Sequence, residues 1–141
     1  MRQCTYAQAV AEVSGGEIRG NVWFHQLADS VLVTAQISGL PRDGFFAFHI
    51  HDGGDCGGEG FSDTGGHYNP TNAAHPDHAG DLPPLLSFSG RVYLSVMTDR
   101  FCVADVLGKT VVIHGGTDDF KTQPAGDPGA KIACGIIRRN W

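Results

Sequence analysis

Short runs of apolar and β-branched residues, separated by glycine and proline, recur along the first third of the chain. Such runs predict β-strands, here at residues 9–13, 18–25, 31–37 and 45–51. Turn residues at 14–16 and 39–41 separate the runs. Since no stretch of the sequence shows the period of a convincing amphipathic helix, the pattern predicts β-structure.

The character of the sequence changes between residues 52 and 84, where glycine, aspartate, histidine, asparagine and proline dominate and periodicity disappears. A structureless loop of this length inside a compact domain is unusual and is commonly functional. Strand patterns return at 90–96, 110–114 and 132–137, with a second irregular stretch at 115–129. The pattern therefore predicts an all-β fold, a sandwich or a barrel, that carries two long loops.

Composition and charge narrow the possible functions. The 141 residues include 20 glycines, which favour tight turns between short strands, and they suit a single domain over residues 1–141. The net charge is −5 and no long lysine or arginine run is present, so the sequence predicts no nucleic-acid partner. No apolar stretch is long enough to span a membrane, which predicts no membrane association.

Residues 1–6 lack the pattern of a signal peptide. The chain as it stands is therefore expected in the cytoplasm, or in the periplasm or outside the cell if a leader has been removed.

Histidines form the candidate chemistry of the chain. Side chains alternate along a strand, so His49 and His51 are expected on one face, where two imidazoles can bind one metal ion. An isolated pair of this kind is weak evidence, but His114 ends a second apolar strand and further candidates lie in the 52–84 loop. These are His67, His75, His78 and Asp81. Imidazole suits copper and zinc, and an added carboxylate is typical of zinc; the alternative for residues 75–78 is a solvated polar loop.

Several motifs resemble those of the copper/zinc superoxide dismutase family, most closely its bacterial branch. They occur in the order of the family as Phe-His-Ile-His at 48–51, Gly-Gly-His-Tyr-Asn-Pro at 65–70, His-Ala-Gly-Asp-Leu-Pro at 78–83, Val-Ile-His at 112–114, and segments within 118–135. The resemblance extends from about residue 20 to residue 137. It implies a Greek-key β-sandwich or flattened barrel with a long metal-binding loop and an electrostatic loop.

The resemblance also implies the metal ligands. Copper would be bound by His49, His51, His67 and His114, and zinc by His67, His75, His78 and Asp81, so that His67 bridges the two ions. Asp118 corresponds to a carboxylate that links a copper-site histidine to a zinc-site histidine, which orients both rings. The alternative for Asp118 is an acidic turn residue.

The implied activity is the disproportionation of superoxide to oxygen and hydrogen peroxide. His67 would carry a proton, and Lys131 would attract the anion to the copper site against the negative net charge. Lys121 lies in the same segment and is equally well explained as a solvated lysine. The alternatives are a non-catalytic copper-binding or copper-buffering protein, or a metal-free sandwich used for protein interaction.

Two positions depart from the family pattern. The family normally has arginine where this chain has Lys131, and lysine lacks the planar fork that binds an oxyanion bidentately. Only Pro76 and Asp77 separate His75 from His78, where the family usually has a longer, glycine-rich stretch. We expect weaker orientation of superoxide from the first change and weaker zinc binding from the second.

The resemblance implies a disulfide between Cys56 and Cys134, against the alternative of two buried thiols in a reducing compartment. Cys4 and Cys102 have no counterpart, so they pair with each other, remain free or join two chains. His25 has no partner motif and is expected to be exposed or satisfied rather than a ligand. Family members occur as monomers and as dimers, so the resemblance allows a homodimer as well as a monomer.

Overall fold

Strands dominate residues 3–141, the part of the chain that a computed structural model describes. The strands are β1 (Gln8–Gly15), β2 (Ile18–Gln26), β3 (Val31–Ser38), β4 (Gly44–Phe46), β5 (Phe48–His51), β6 (Leu85–Ser87), β7 (Val92–Thr98), β8 (Thr110–His114) and β9 (Lys131–Arg139). A 3-10 helix (Glu59–Thr64) and a four-residue helix α1 (Val103–Val106) lie in the connections. Within residues 3–141, no helix is long and apolar enough to cross a membrane.

Seven of these strands form one antiparallel sheet in the order β5-β8-β9-β1-β2-β3-β7, and β4 pairs with β6. β4 runs directly into β5 at one edge of the large sheet, and β6 lies beside β7 at the other edge. The β4–β6 pair therefore bridges the two edges and closes the curled sheet into a flattened barrel. This arrangement confirms the all-β fold class, and closure removes exposed sheet edges.

The core lies between the faces of this barrel. Along β3, Val31, Val33, Ala35 and Ile37 are buried and alternate with more exposed residues, as expected for a strand with one face in the core. In β5 and β8, by contrast, every residue is buried. These two strands carry the barrel core on one face and loop residues on the other, so the histidines on them lie beneath protein rather than at the surface.

The single strand predicted at 45–51 is wrong, because the chain divides at Ala47. β4 pairs with β6, whereas β5 pairs with β8. The Ala47 N–H donates to the Gly116 carbonyl, and the Ala47 carbonyl accepts from the His114 N–H. The local sequence is continuously apolar through this point, so only the pairing partners show the break. The three-residue strand β6 and the short helix α1 were likewise too brief to produce a pattern.

Two disulfides join connecting segments to distant parts of the chain. Cys56 and Cys134 are bonded, with Cα atoms 5.8 Å apart, and join the 52–84 loop to β9. Cys4 and Cys102 are bonded to each other, also with Cα atoms 5.8 Å apart, and tie the N-terminal segment to the residue before α1. Of the alternatives for Cys4 and Cys102, the structure therefore selects the intrachain bond.

Candidate metal centre

The 52–84 loop folds back onto β5 and brings its histidines to that strand. Isolated β-bridges pair His51 with His67 and His49 with Asp81. The Ile50 N–H donates to the Gly80 carbonyl, and the Ile50 carbonyl accepts from the Tyr68 N–H, each at 2.8 Å. A Cβ on Gly80 would collide with the Ile50 carbonyl oxygen, so this close approach requires glycine.

His114 reaches the same place from β8, the neighbour of β5 in the sheet. The pairing of β8 with β9 is regular up to Ile113 and shifts register at His114. Such irregularities re-aim side chains at the ends of strands. The loop, β5 and the end of β8 thus converge on one buried cluster of imidazoles.

Two groups of ligand atoms emerge from this cluster. In the first, ring nitrogens of His49, His51, His67 and His114 all lie within 4.8 Å of one another. His51 Nε2 and His114 Nε2 are 3.2 Å apart. Ligands bound to one tetrahedral ion at ~2.05 Å are separated by about 3.3 Å, so this spacing fits a shared metal.

The opposite ring nitrogens of the first group are hydrogen-bonded, which fixes the tautomers. His51 Nδ1–H donates to the Gly65 carbonyl at 2.8 Å, and His114 Nδ1–H donates to the Gly129 carbonyl at 3.1 Å. Their Nε2 lone pairs therefore face each other. His49 Nδ1 and His67 Nε2 are buried without a hydrogen-bond partner among residues 3–141. Buried polar atoms left without partners in this way fit a metal ion as the missing partner.

The second group centres on the Asp81 carboxylate. His67 Nδ1 lies 2.9 Å from Asp81 Oδ1, and the Nδ1 atoms of His75 and His78 lie 3.1 and 3.2 Å from Asp81 Oδ2. His67 Nδ1 and His78 Nδ1 are 3.2 Å apart. The two residues between His75 and His78 thus suffice to bring both rings to one carboxylate.

His49 also offers a ligand atom within 4.8 Å of His67, His75 and Asp81. Its Nε2, however, is hydrogen-bonded to Asp118, and its Nδ1 faces the first group. His78 is therefore the better fourth ligand of the second group.

Asp118 links the two groups, as the resemblance implies. This carboxylate is 3% exposed, and it accepts from His49 Nε2–H at 2.8 Å and from His75 Nε2–H at 2.7 Å. Each bond leaves the Nδ1 of that ring as the free lone pair. Gly126 packs directly over the second bond, where a Cβ would collide with both partners and where φ is +83°. No signal in the sequence identified Gly126 as part of the site.

Burial keeps the imidazoles of His49, His51 and His114 neutral, which is the form that binds metals. It lowers the pKa of His49 and His51 to about 2 and that of His114 to about 4, with the neighbouring histidines acting in the same direction. Burial alone would raise the pKa of Asp81, but the hydrogen bond from His67 and the nearby histidines keep it below its usual value. At neutral pH the three imidazoles are neutral and Asp81 is ionised, as metal binding requires.

A cavity of about 410 Å³ opens onto the first group. His51, His67 and His114 line it together with Asn69 and Lys131. Burial lowers the pKa of Lys131. Lys121 does not line this cavity, which supports the alternative of a solvated lysine. His25 is not among the ligand groups, and its Nδ1 lies 2.9 Å from Gln8 Nε2 in a hydrogen bond.

Comparison with known proteins identifies the family. The family model of copper/zinc superoxide dismutase matches residues 18–137. The chain belongs to this family. Superoxide dismutase [Cu-Zn] 2 of Aquifex aeolicus is 35% identical, with 87% of this chain and 81% of that protein covered. The Caulobacter vibrioides superoxide dismutase [Cu-Zn] is 33% identical, with 94% and 85% covered.

Among solved structures, one described as the clock protein EA4 superposes with a TM-score of 0.84 at 32% identity, covering 98% of both chains. Together with the two ligand groups, membership of the superoxide dismutase family supports copper and zinc as the metals of this chain.

Proposed function

We propose that the chain is a superoxide dismutase that converts superoxide to oxygen and hydrogen peroxide at a copper–zinc pair bridged by His67. The observation that carries the proposal is the position of the His67 ring between the two ligand groups. Its Nε2 is free toward the first group, and its Nδ1 approaches Asp81 and His78 in the second. The names of the curated relatives support the same activity.

His49, His51, His67 and His114 would hold copper, and His67, His75, His78 and Asp81 would hold zinc. When bound, copper supplies the one-electron chemistry, while zinc is redox-silent and structural. In His49, His51, His75 and His114, the ring nitrogen that would not bind a metal is held by Asp118, Gly65 or Gly129. These bonds fix the rings before substrate arrives, so little rearrangement is required of the ligands.

His67 is the residue suited to carry a proton. Its ring lines the cavity, and its Nε2 is buried and makes no hydrogen bond to residues 3–141. Its Nδ1 is held by the Asp81 carboxylate at 2.9 Å. A proton taken up at Nε2 therefore lies next to the substrate cavity and can be returned there.

Lys131 is the residue suited to attract superoxide. The protein has a net charge of −5, so the field at the cavity must be locally positive for a small anion to enter. The Lys131 ammonium lines the cavity beside His51 and His114 and supplies this charge.

A second candidate is a copper-binding protein with little turnover. The observation that favours it is Lys131 itself, because an ammonium lacks the planar fork of the arginine usual in the family. Two features favour the dismutase: His67 belongs to both ligand groups, and the buried Asp118 carboxylate bonds a histidine of each group. Simple storage of copper does not need a bridged second metal.

Superoxide consumption by protein reconstituted with copper and zinc, normalised to bound copper, tests the proposal. We expect rapid, copper-dependent consumption that a His67→Gln variant loses and a His25→Gln control retains. Stoichiometric copper binding with negligible consumption would refute the dismutase and favour copper storage.

A further inference from the structure

The Lys131 ammonium is anchored by the metal-binding loop rather than left free in the cavity. Its Nζ donates to Thr64 Oγ1 at 2.7 Å and to the Gly65 carbonyl at 3.0 Å. These partners are 67 and 66 residues away in sequence and end the 3-10 helix of the loop. The position of the cation therefore depends on the fold of that loop.

Thr64 is arranged to receive this bond. The residue is 0% exposed, and its hydroxyl donates its one proton to the Phe61 carbonyl at 2.8 Å. The lone pairs of Oγ1 are then the atoms left for the ammonium. A buried hydroxyl is costly unless it is hydrogen-bonded, whereas valine would fill the same volume without that requirement.

Gly65 connects the anchor to the ligand set. Its carbonyl accepts from Lys131 Nζ and also from His51 Nδ1–H, at 3.0 and 2.8 Å. Two of the three ammonium N–H groups are consequently occupied, and one is left for an anion in the cavity.

We propose that Thr64 is the positioning residue for Lys131, holding the ammonium at the rim of the cavity so that a small anion meets a fixed donor. Lysine is flexible, and its charge is attached to a stem of four carbons that is free to swing into solvent. The hydrogen bond to Thr64 fixes the position of the Lys131 ammonium, whereas the planar guanidinium of arginine has its donors in a fixed geometry without such a partner. The proposal deepens the dismutase function and rests on it only for the identity of the anion.

Anion binding at equilibrium tests the anchor without requiring turnover. Azide is titrated into the copper- and zinc-loaded protein and followed by the visible absorption of the copper centre. We expect Thr64→Val to raise the azide Kd roughly three- to tenfold, approaching the value of Lys131→Met, because the isosteric side chain removes only the hydroxyl. Thr64→Ser keeps the hydroxyl and is expected to stay within about twofold of the parent protein.

Thr110→Val is the matched control. Thr110 is also 0% exposed, and its hydroxyl donates to the Gly53 carbonyl of the same loop at 2.9 Å, whereas the Lys131 ammonium bonds Thr64 and Gly65. An unchanged azide Kd in Thr64→Val, or an equal rise in both valine variants, would overturn the proposal. Metal content is measured for each variant, and absence of turnover in the parent protein would refute the dismutase while leaving the azide result interpretable.

Discussion

Asp118 shows how one side chain sets the chemistry of several others. Each of its oxygens accepts from a different imidazole, so His49 and His75 both present Nδ1 as a lone pair. Partners of this kind fix the tautomer and orientation of metal ligands. They also stabilise the buried carboxylate, which would otherwise be costly.

Replacing Asp118 with asparagine is expected to weaken zinc binding by about 10- to 100-fold, the usual cost of losing such a partner. The amide oxygen accepts from only one of the two rings and the amide NH2 group faces the other, so the carboxylate link that fixes both His49 and His75 is broken. Competition with a chromophoric zinc chelator measures the change. Asp119→Asn is the control, because Asp119 is exposed and bonds within its own turn; equal zinc affinity in the two variants would contradict the role of Asp118.

Lys131→Met is expected to lower kcat/KM for superoxide about tenfold and to reduce its dependence on ionic strength, because the local positive field is lost. Initial rates measured between low and high salt check this. Lys121→Met should have a much smaller effect, since Lys121 does not line the cavity.

Lys131→Arg is expected to raise the rate above that of the parent protein, because a guanidinium offers several coplanar N–H donors, whereas two of the three N–H groups of the Lys131 ammonium are used by Thr64 and Gly65. The same rate assay, normalised to bound copper, measures it. Failure to gain rate would show that lysine, as anchored here, already orients the anion adequately.

The strands that carry ligands differ from the other strands in burial. β3 alternates between buried and more exposed positions, whereas β5 is buried throughout. Residues 48–51 alternate phenylalanine and isoleucine with histidine. Because the second face is covered by the metal-binding loop, histidines occupy positions that a solvated strand would leave at the surface.

Arg100 holds the two-residue segment between His75 and His78 by hydrogen bonds and an ion pair. Arg100 Nη1 donates to the Pro76 carbonyl at 2.9 Å and to the His78 carbonyl at 3.1 Å. Its Nη2 lies 3.7 Å from Asp77 Oδ1. Arg100 follows β7, so the barrel itself holds the short spacer in the conformation that aims His75 and His78 at Asp81.

Arg100→Ala is therefore expected to accelerate zinc release roughly three- to tenfold, with copper content unchanged, because the spacer loses two hydrogen bonds to a charged donor. Zinc transfer to a chromophoric chelator gives the rate. Arg19→Ala is the matched control, since Arg19 also donates to two backbone carbonyls, those of Gly16 and Ile18, but at the β1–β2 turn. Equal rates of zinc release from both variants would show that the Arg100 hydrogen bonds have no specific role in retaining zinc.

At the scale of the whole molecule, the buried imidazoles couple stability to pH. Folding lowers the pKa of His49 and His51 from 6.5 to about 2 and that of His114 from 6.5 to about 4. Between these values the unfolded chain binds more protons than the folded chain. The free energy of unfolding of the metal-free protein must then rise with pH up to about 6.5 and fall as the pH drops below it.

The metal-free protein, with its disulfides intact, is expected to be about 3–6 kcal/mol less stable at pH 5 than at pH 7, since each histidine contributes up to about 1.4 kcal/mol per pH unit. Asp81 acts in the same sense, but only below its ordinary value of 3.8. Denaturant unfolding at the two pH values measures the difference. Equal stability would mean that the imidazoles are not buried in the metal-free fold.

Much of this protein was already determined by its sequence. Strand patterns located eight of the nine strands found in residues 3–141, although 45–51 merged two of them, and the loss of periodicity marked both long loops. The ligand types followed from the motifs, because imidazole and carboxylate are read directly as residue identities. The Cys56–Cys134 bond followed from the resemblance to the family.

Only the tertiary structure decided which groups meet across long separations. The break at Ala47, the bond between Cys4 and Cys102, and the anchoring of Lys131 by Thr64 depend on contacts between distant segments. The hydrogen bonds from Arg100 to Pro76 and His78 likewise join residues 24 and 22 positions apart. Local sequence encodes propensity and residue chemistry, but closure of the barrel and the return of the loop onto β5 select the partners, and each partner is one of many that the local sequence allows.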